Sequence, residues 1–325
     1  MVVMRHDPGR ALACAGRLIG LGLGLLALAG CGYRNAPAGV GLQPTRPAVT
    51  SQAPSAQPTA PGHGGSASGA ATVPRPRRTV VVVFENHAYG DIVGSPHAAY
   101  INALAREGAL FTSSYAVTHP SEPNYLALFS GGTQGVGSDQ CPITLHAPNL
   151  AADLNAAGLS FAGYAEGLPA PGSAVCEDGD YARKHVPWTD FSNVPAAANQ
   201  PFARFASAGY ARLPAVSFVI PDLCHDMHDC PVGTGNAWLR AHLSGYARWA
   251  MTHDGLLIVT WDEDDSGHSN HIATIFVGQQ VQPGRYRTPI DHYNVLRTIE
   301  QAYGLPYRGQ AARHYPITGV WRRSG

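Results

Sequence analysis

At 325 residues, with 45% hydrophobic and 14% charged side chains, the chain is apolar enough to bury a core and long enough for one large domain with appendages, which excludes a wholly disordered protein. Its formal charge is zero, but unevenly so: eight of the 22 Lys/Arg and one of the 22 Asp/Glu precede Thr79, leaving 14 basic against 21 acidic residues beyond it. That acidic surplus repels a phosphate backbone, so nucleic acid is excluded as a partner, and it suits a protein that holds a cation.

In chain order, Arg5, Arg10 and Arg17 precede an apolar run from Leu18 to Leu28. A basic start followed by a run too short to cross a bilayer as a helix predicts an export signal. The run closes on "LAGC", which resembles the bacterial lipoprotein box, whose cysteine becomes the lipidated N-terminus; an ordinary signal peptide is the alternative. Residues 1–31 are thus expected to be a lipoprotein signal ending at Cys31, with the mature protein anchored by lipid at the outer face of the cell membrane, or secreted. Residues 32–78 are rich in Pro, Ala, Gly and Ser and contain no acid. Such a segment buries too little surface to offset its ordering entropy, which predicts a disordered linker.

Residues 79–325 read as one domain. "TVVVVF", "VSFVI", "LLIVTW" and "HIATIFVG" are apolar runs bounded by polar clusters, the pattern of strands buried on both faces. Helical patterns lie between and beyond them, at Ala98–Glu107, Pro123–Phe129, Leu150–Ala157, Trp238–Trp249 and Tyr293–Tyr303. Strands alternating with helices predict an α/β sandwich around a mostly parallel sheet, where ligands bind beyond the carboxyl ends of the strands. Setting aside Cys14 and Cys31, four cysteines remain. In an exported domain they most simply form two disulfides, Cys224 with Cys230 across "CHDMHDC" and Cys141 with Cys176; a zinc site is the rival.

Four polar clusters carry chemistry. Glu85 and Asn86 follow the first strand without a spacer. Ser121, between Pro120 and Pro123, is placed at a helix N-terminus, where free N–H groups and the helix dipole favour phosphate and a serine alkoxide; Asn124 lies one turn on. Read blandly, "SEP" is only a helix cap. Asp262 and Glu263 open four consecutive acids after a strand, which a divalent cation would neutralise, though a solvated acidic turn has the same composition. The loop Ile220–Cys230 gathers Asp222, His225, Asp226, His228 and Asp229, suited to metal ligation or acid/base work.

Together these stretches resemble the secreted phosphoesterase family that holds bacterial acid phosphatases, among them phosphatidylinositol-3-phosphatase-like enzymes, and phospholipases C, related to the alkaline phosphatase superfamily. The likeness spans "FENHAYGDIVG", "YAVTHPSEPNYLALFSGG", "EGLP", "YARKHVPW", "VSFVIPDLCHDMHDC", "LLIVTWDEDD" and "DHYNVLRTIEQAYGLP". It implies a three-layer α/β/α fold and metal-dependent hydrolysis of phosphate monoesters through a phosphoserine, with phosphoinositides among the candidate substrates. Glu85, Asn86, Ser121, Asp262 and Glu263 match the metal ligands, Ser121 the nucleophile and Asn124 the transition-state amide. His119, Lys184 and His185 fall in substrate-binding segments, and His225, His228 and His292 in those supplying the leaving-group acid. Oxygen-rich ligation admits Mg, Ca, Mn or Fe, and nearby histidines admit Zn. The "DEDD" run departs from the family's patterns. A phospholipase C-type phosphodiesterase and a non-catalytic binding protein on the same scaffold are the alternatives.

Overall fold

The computed structural model describes residues 73–322. Cys31, the expected site of lipid attachment, and residues 32–72 of the expected linker fall outside that range. The linker was expected to run to residue 78, but its last residues belong to the folded unit. Val73 packs on the core, the Arg77 N–H donates to the Asp254 carbonyl at 2.6 Å, and the Arg75 guanidinium lies 5.7 Å from the Tyr303 ring centre. No helix among the described residues is long and apolar enough to cross a membrane.

The elements run β1 (Arg78–Phe84), α1 (Tyr89–Ile92), α2 (Ala99–Glu107), β2 (Ala109–Tyr115), α3 (Ser121–Ser130), α4 (Leu150–Ala156) and β3 (Phe161–Ala165). There follow the hairpin strands β4 (Glu177–Asp178) and β5 (Tyr181–Ala182), then β6 (Asn199–Pro201), α5 (Ala203–Ala208), β7 (Val216–Ile220) and α6 (Val232–Ala250). The chain closes with β8 (Gly255–Trp261), β9 (His271–Gly278), β10 (Gly284–Tyr286), β11 (Ile290–Asp291) and α7 (His292–Tyr303).

One sheet orders β10-β2-β9-β8-β1-β7-β3-β6, with β11 also on β2. Only β9 runs against its neighbours β8 and β2. Side chains alternate across β1, as a strand covered on both faces requires. Val81 and Val83 join a core with α3, α4 and α7, while Val80, Val82 and Phe84 join a second core with α2 and α6. Two cores on opposite faces make the expected three-layer α/β/α sandwich.

Two helices differ in extent from the sequence pattern, and two strands were not marked by it. Helix α3 begins at Ser121 itself, α6 extends back to Val232, and β2 and β3 carry no β-branched run. In β3, Gly163 serves close packing: a Cβ there would lie 2.0 Å from the Trp188 ring. Both disulfides form as expected, Cys141–Cys176 and Cys224–Cys230.

Candidate active site

The site is assembled where parallel strands end together. Beyond β1 and β8 the ladder continues for one bond, the Asp262 N–H donating to the Phe84 carbonyl at 2.9 Å, so Glu85 and Asp262 leave adjacent strands side by side. The Glu85 N–H donates to the Asp226 carbonyl at 2.9 Å, drawing in the loop after β7. Asn86 takes a left-handed conformation, φ 49°, which asparagine tolerates better than most residues; its N–H donates to Asp262 Oδ1 at 3.2 Å.

Ser121, the first residue of α3, is buried, and its Oγ donates to Glu85 Oε2 at 2.8 Å, with Glu263 Oε1 at 3.4 Å and Asn86 Oδ1 at 3.5 Å. The Asn86 amide oxygen in turn faces Glu85 Oε2 at 3.2 Å and Glu263 Oε1 at 3.1 Å. Oxygens so disposed repel unless a cation lies among them or the amide turns to donate to both carboxylates. Asp262 Oδ2 is buried without a hydrogen-bond partner, a costly state for a carboxylate oxygen. This donor set of two glutamates, an aspartate, an amide oxygen and a hydroxyl fits a hard divalent cation.

The electrostatics agree. Burial, then the neighbouring Asp262 and Asp226, holds the Glu85 carboxyl well above the ordinary range. Burial and Glu263 push Asp262 up to about 8, and burial with Asp139 pushes Glu263 up to about 7. Clustered buried carboxyls with no cationic partner take up protons; a divalent ion would supply the missing charge.

Around this centre, His185 is buried between two acids, Nε2 lying 3.2 Å from Glu85 Oε1 and Nδ1 3.2 Å from Asp226 Oδ2, with its ring stacked on Tyr125. The Tyr125 hydroxyl donates to Glu85 Oε1. Burial, then the charges of Lys184 and His228, holds His185 well below the usual histidine range. His119 contacts Glu263 Oε2 through Nδ1 at 2.8 Å and Asp264 Oδ1 through Nε2 at 3.4 Å. Lys184 Nζ donates to Asp139 Oδ2 at 2.8 Å. The Asn124 amide braces the approach to α3: Nδ2 donates to the Thr118 carbonyl at 2.9 Å and reaches Glu263 Oε2 at 3.3 Å, while Oδ1 accepts from the Val117 and Thr118 N–H groups.

The three remaining histidines part company. His292, first residue of α7, is buried with Nε2 against the Asp262 carbonyl at 2.7 Å, so it positions that backbone. His225 belongs to a separate half-buried group, 2.9 Å from Asp222 and 3.1 Å from Glu166 through Nδ1. His228 has its ring centre 5.9 Å from that of His185 and its Nδ1 2.6 Å from Asp229 Oδ1. The four consecutive acids divide: Asp262 and Glu263 face Ser121, whereas Asp264 accepts the Ser266, His268 and Asn270 N–H groups and shapes the turn. Asp265 pairs with His268 in solvent. Tyr125 was not singled out from sequence, and Asp226 was named only as one of five candidate residues in its loop. The available signal for Tyr125 was its spacing, four residues after Ser121 on one helix face.

Residues 94–306 match the profile of the Phosphoesterase family. The chain is 52% identical over 254 residues, 78% of its length and 85% of the relative's, to a phosphatidylinositol-3-phosphatase of Mycobacterium tuberculosis. It is 29% identical to an acid phosphatase of Aspergillus fumigatus, over 82% of this chain but 62% of that one. Among solved structures, a protein of the alkaline phosphatase superfamily from Vibrio parahaemolyticus aligns with a TM-score of 0.53 at 13% identity, covering 73% of this chain and 69% of that one, a likeness of fold. With about two thirds of its length under the family profile and a relative 52% identical over 254 residues, the chain belongs to the Phosphoesterase family.

Proposed function

We propose that the protein is a metal-dependent phosphomonoesterase in which Ser121 is phosphorylated in turn by each substrate. The observation that carries this reading is the contact of a buried helix-initial serine hydroxyl with Glu85 Oε2 at 2.8 Å, inside a cluster of oxygen donors deficient in positive charge. Glu85, Asn86, Asp262 and Glu263 would hold the cation together with Ser121. When bound, the ion lowers the proton affinity of the serine hydroxyl and shields the charge of the incoming phosphoryl group.

The remaining work falls to the chain. Glu85 Oε2 orients the Ser121 hydroxyl, accepts its proton as the alkoxide forms, and returns it when the phosphoserine is hydrolysed. The start of α3 and the Lys184 ammonium bind and orient the phosphoryl oxygens. Attack in line at phosphorus forms the Ser121–phosphorus bond and breaks that to the leaving alcohol, which must gain a proton. His185 and His292 are buried and engaged, and both nitrogens of His119 face acids. His228 has Nδ1 tied to Asp229 and stands beside His185, which leaves Nε2 to protonate the leaving oxygen. Water then attacks the phosphoserine with the same residue as base.

The phosphoinositide-directed name of the mycobacterial relative supports a phosphoinositide among the substrates, and the leader pattern supports export with lipid attachment at Cys31. Replacing Ser121 by Ala is expected to abolish release of phosphate from both an aryl phosphate and phosphatidylinositol 3-phosphate with the far-UV spectrum unchanged. Retained turnover in that variant would refute the nucleophile.

A further inference from the structure

Helix α3 opens without a side-chain cap: its N-cap is Pro120, which makes no capping bond. Pro123 has no N–H, so Ser121 and Glu122 carry the foremost donors of the turn that presents the proposed nucleophile. The donor of Glu122 is taken. It donates to Asp139 Oδ1 at 3.1 Å, and the other oxygen of the same carboxylate, Oδ2, accepts from Lys184 Nζ at 2.8 Å. Asp139 reaches in from the loop after α3, which the Cys141–Cys176 disulfide ties to the segment just ahead of Lys184. Gln140 in the same loop donates its N–H to Glu122 Oε2 at 2.5 Å, so loop and helix start clasp each other.

One carboxylate therefore joins the two groups to which the proposed function assigns the substrate's phosphoryl oxygens, a helix-initial N–H and the Lys184 ammonium. A phosphate dianion brought beside it would be repelled by a charge of the same sign. Asp139 is about a third exposed (31% of its side chain), so it has solvent into which to swing. As a helix cap alone, it would have no need of Lys184.

We propose that Asp139 is an internal stand-in for the phosphoryl group: it occupies the anion position between α3 and Lys184, yields it to substrate, and returns as phosphate leaves. The inference rests on the phosphatase reading and adds to it a residue that sets phosphate affinity and speeds product release.

The test is calorimetric titration of inorganic phosphate into the metal-loaded wild type, Asp139→Asn, Asp139→Ala, Lys184→Ala and the Asp139→Ala/Lys184→Ala double variant, with unfolding midpoints measured alongside. Asp139→Asn keeps an oxygen for the Glu122 N–H and guards against loss of the helix start. Asp139→Ala, which removes both competitor bonds, is expected to tighten phosphate about tenfold, and Asp139→Asn, which removes the charge and the bond to Lys184, about threefold; KM for an aryl phosphate should fall in parallel, and the gain should be smaller when Lys184 is absent. Unchanged or weaker phosphate binding in an Asp139→Asn protein as stable as wild type would overturn the inference and make Asp139 a helix cap. If monoester hydrolysis is intact while phosphate affinity ignores Asp139, this inference alone falls. If no protein in the series binds phosphate and none hydrolyses a monoester, the phosphatase reading falls with it.

Discussion

Replacing Asp262 by Asn separates a cation site from an ordinary buried polar cluster, because the two assign opposite signs to its effect on stability. Asp262 is buried beside Glu85 and Glu263, Oδ1 accepts the Asn86 N–H at 3.2 Å, and Oδ2 has no partner. Its carboxyl ionises near 3.8 in a solvated chain and at about 8 in the fold, chiefly through burial and then Glu263. At 1.36 kcal/mol for each tenfold change in proton affinity, keeping this group in the fold without a cation costs on the order of a few kcal/mol at neutral pH, a cost shared with Glu85. Asparagine keeps the acceptor for Asn86 and removes the charge. The chelated Asp262→Asn protein should therefore unfold about 5–10 °C above the chelated wild type. Adding Mg, Ca, Mn or Zn ions should raise the wild-type midpoint well above the variant's, since ligand binding to the folded state adds stability that the variant forgoes. Phosphatase activity should fall at least about 100-fold. Scanning calorimetry of both proteins with chelator and with metal reads all four states. A variant less stable than wild type in chelator, or equally stabilised by the metal, would refute the reasoning.

The same carboxyls set the pH dependence. Folded-state values raised above the ordinary carboxyl range mean that the folded state binds more protons, so the stability they contribute is full below about 4 and is lost as pH rises toward about 8. Chelated wild type should accordingly unfold at a higher temperature at pH 5.5 than at pH 8, and saturating divalent metal should reverse the order; a chelated midpoint that rises with pH contradicts this. His228→Ala should lower kcat/KM, which reads only the transfer to Ser121, about 100-fold for an alkyl phosphate and far less for an aryl phosphate with a good leaving group; equal losses in kcat/KM would remove it as the leaving-group acid. Gly163→Ala should destabilise the domain by about 1–3 kcal/mol, because its Cβ would meet the Trp188 ring; urea unfolding within a few tenths of wild type would contradict that packing.

How far the site was legible in sequence follows from how each residue is held. Glu85, Asp262 and Glu263 stand directly after strands whose β-branched and aromatic runs announce themselves, and the parallel pairing of β1 with β8 then fixes the carboxylates side by side. Ser121 was legible through its flanking prolines. By contrast, β3 is built from Ala, Gly and aromatic residues chosen to fit Trp188, a tertiary reason with no local periodicity. Nothing in a loop crowded with Asp and His marks Asp226 as the acid that turns inward; that follows from the Glu85 N–H bonding its carbonyl. The family likeness placed His292 among the acid/base candidates, yet its place at the start of α7 aims Nε2 at the Asp262 carbonyl. Asn124 likewise sits where the likeness puts it, one turn from Ser121, with its amide engaged by the backbone of the preceding loop.

The central claim is that a phosphoryl group passes through Ser121. Acid quench of the metal-loaded enzyme during turnover of an aryl phosphate, followed by mass spectrometry of its peptides, tests it most directly. The account predicts a phosphorylated peptide whose modified residue is Ser121 and which is absent from Ser121→Ala. Steady release of phosphate with no phosphoryl group on the protein at any quench time, and inversion of configuration at a chiral phosphorus, would contradict it.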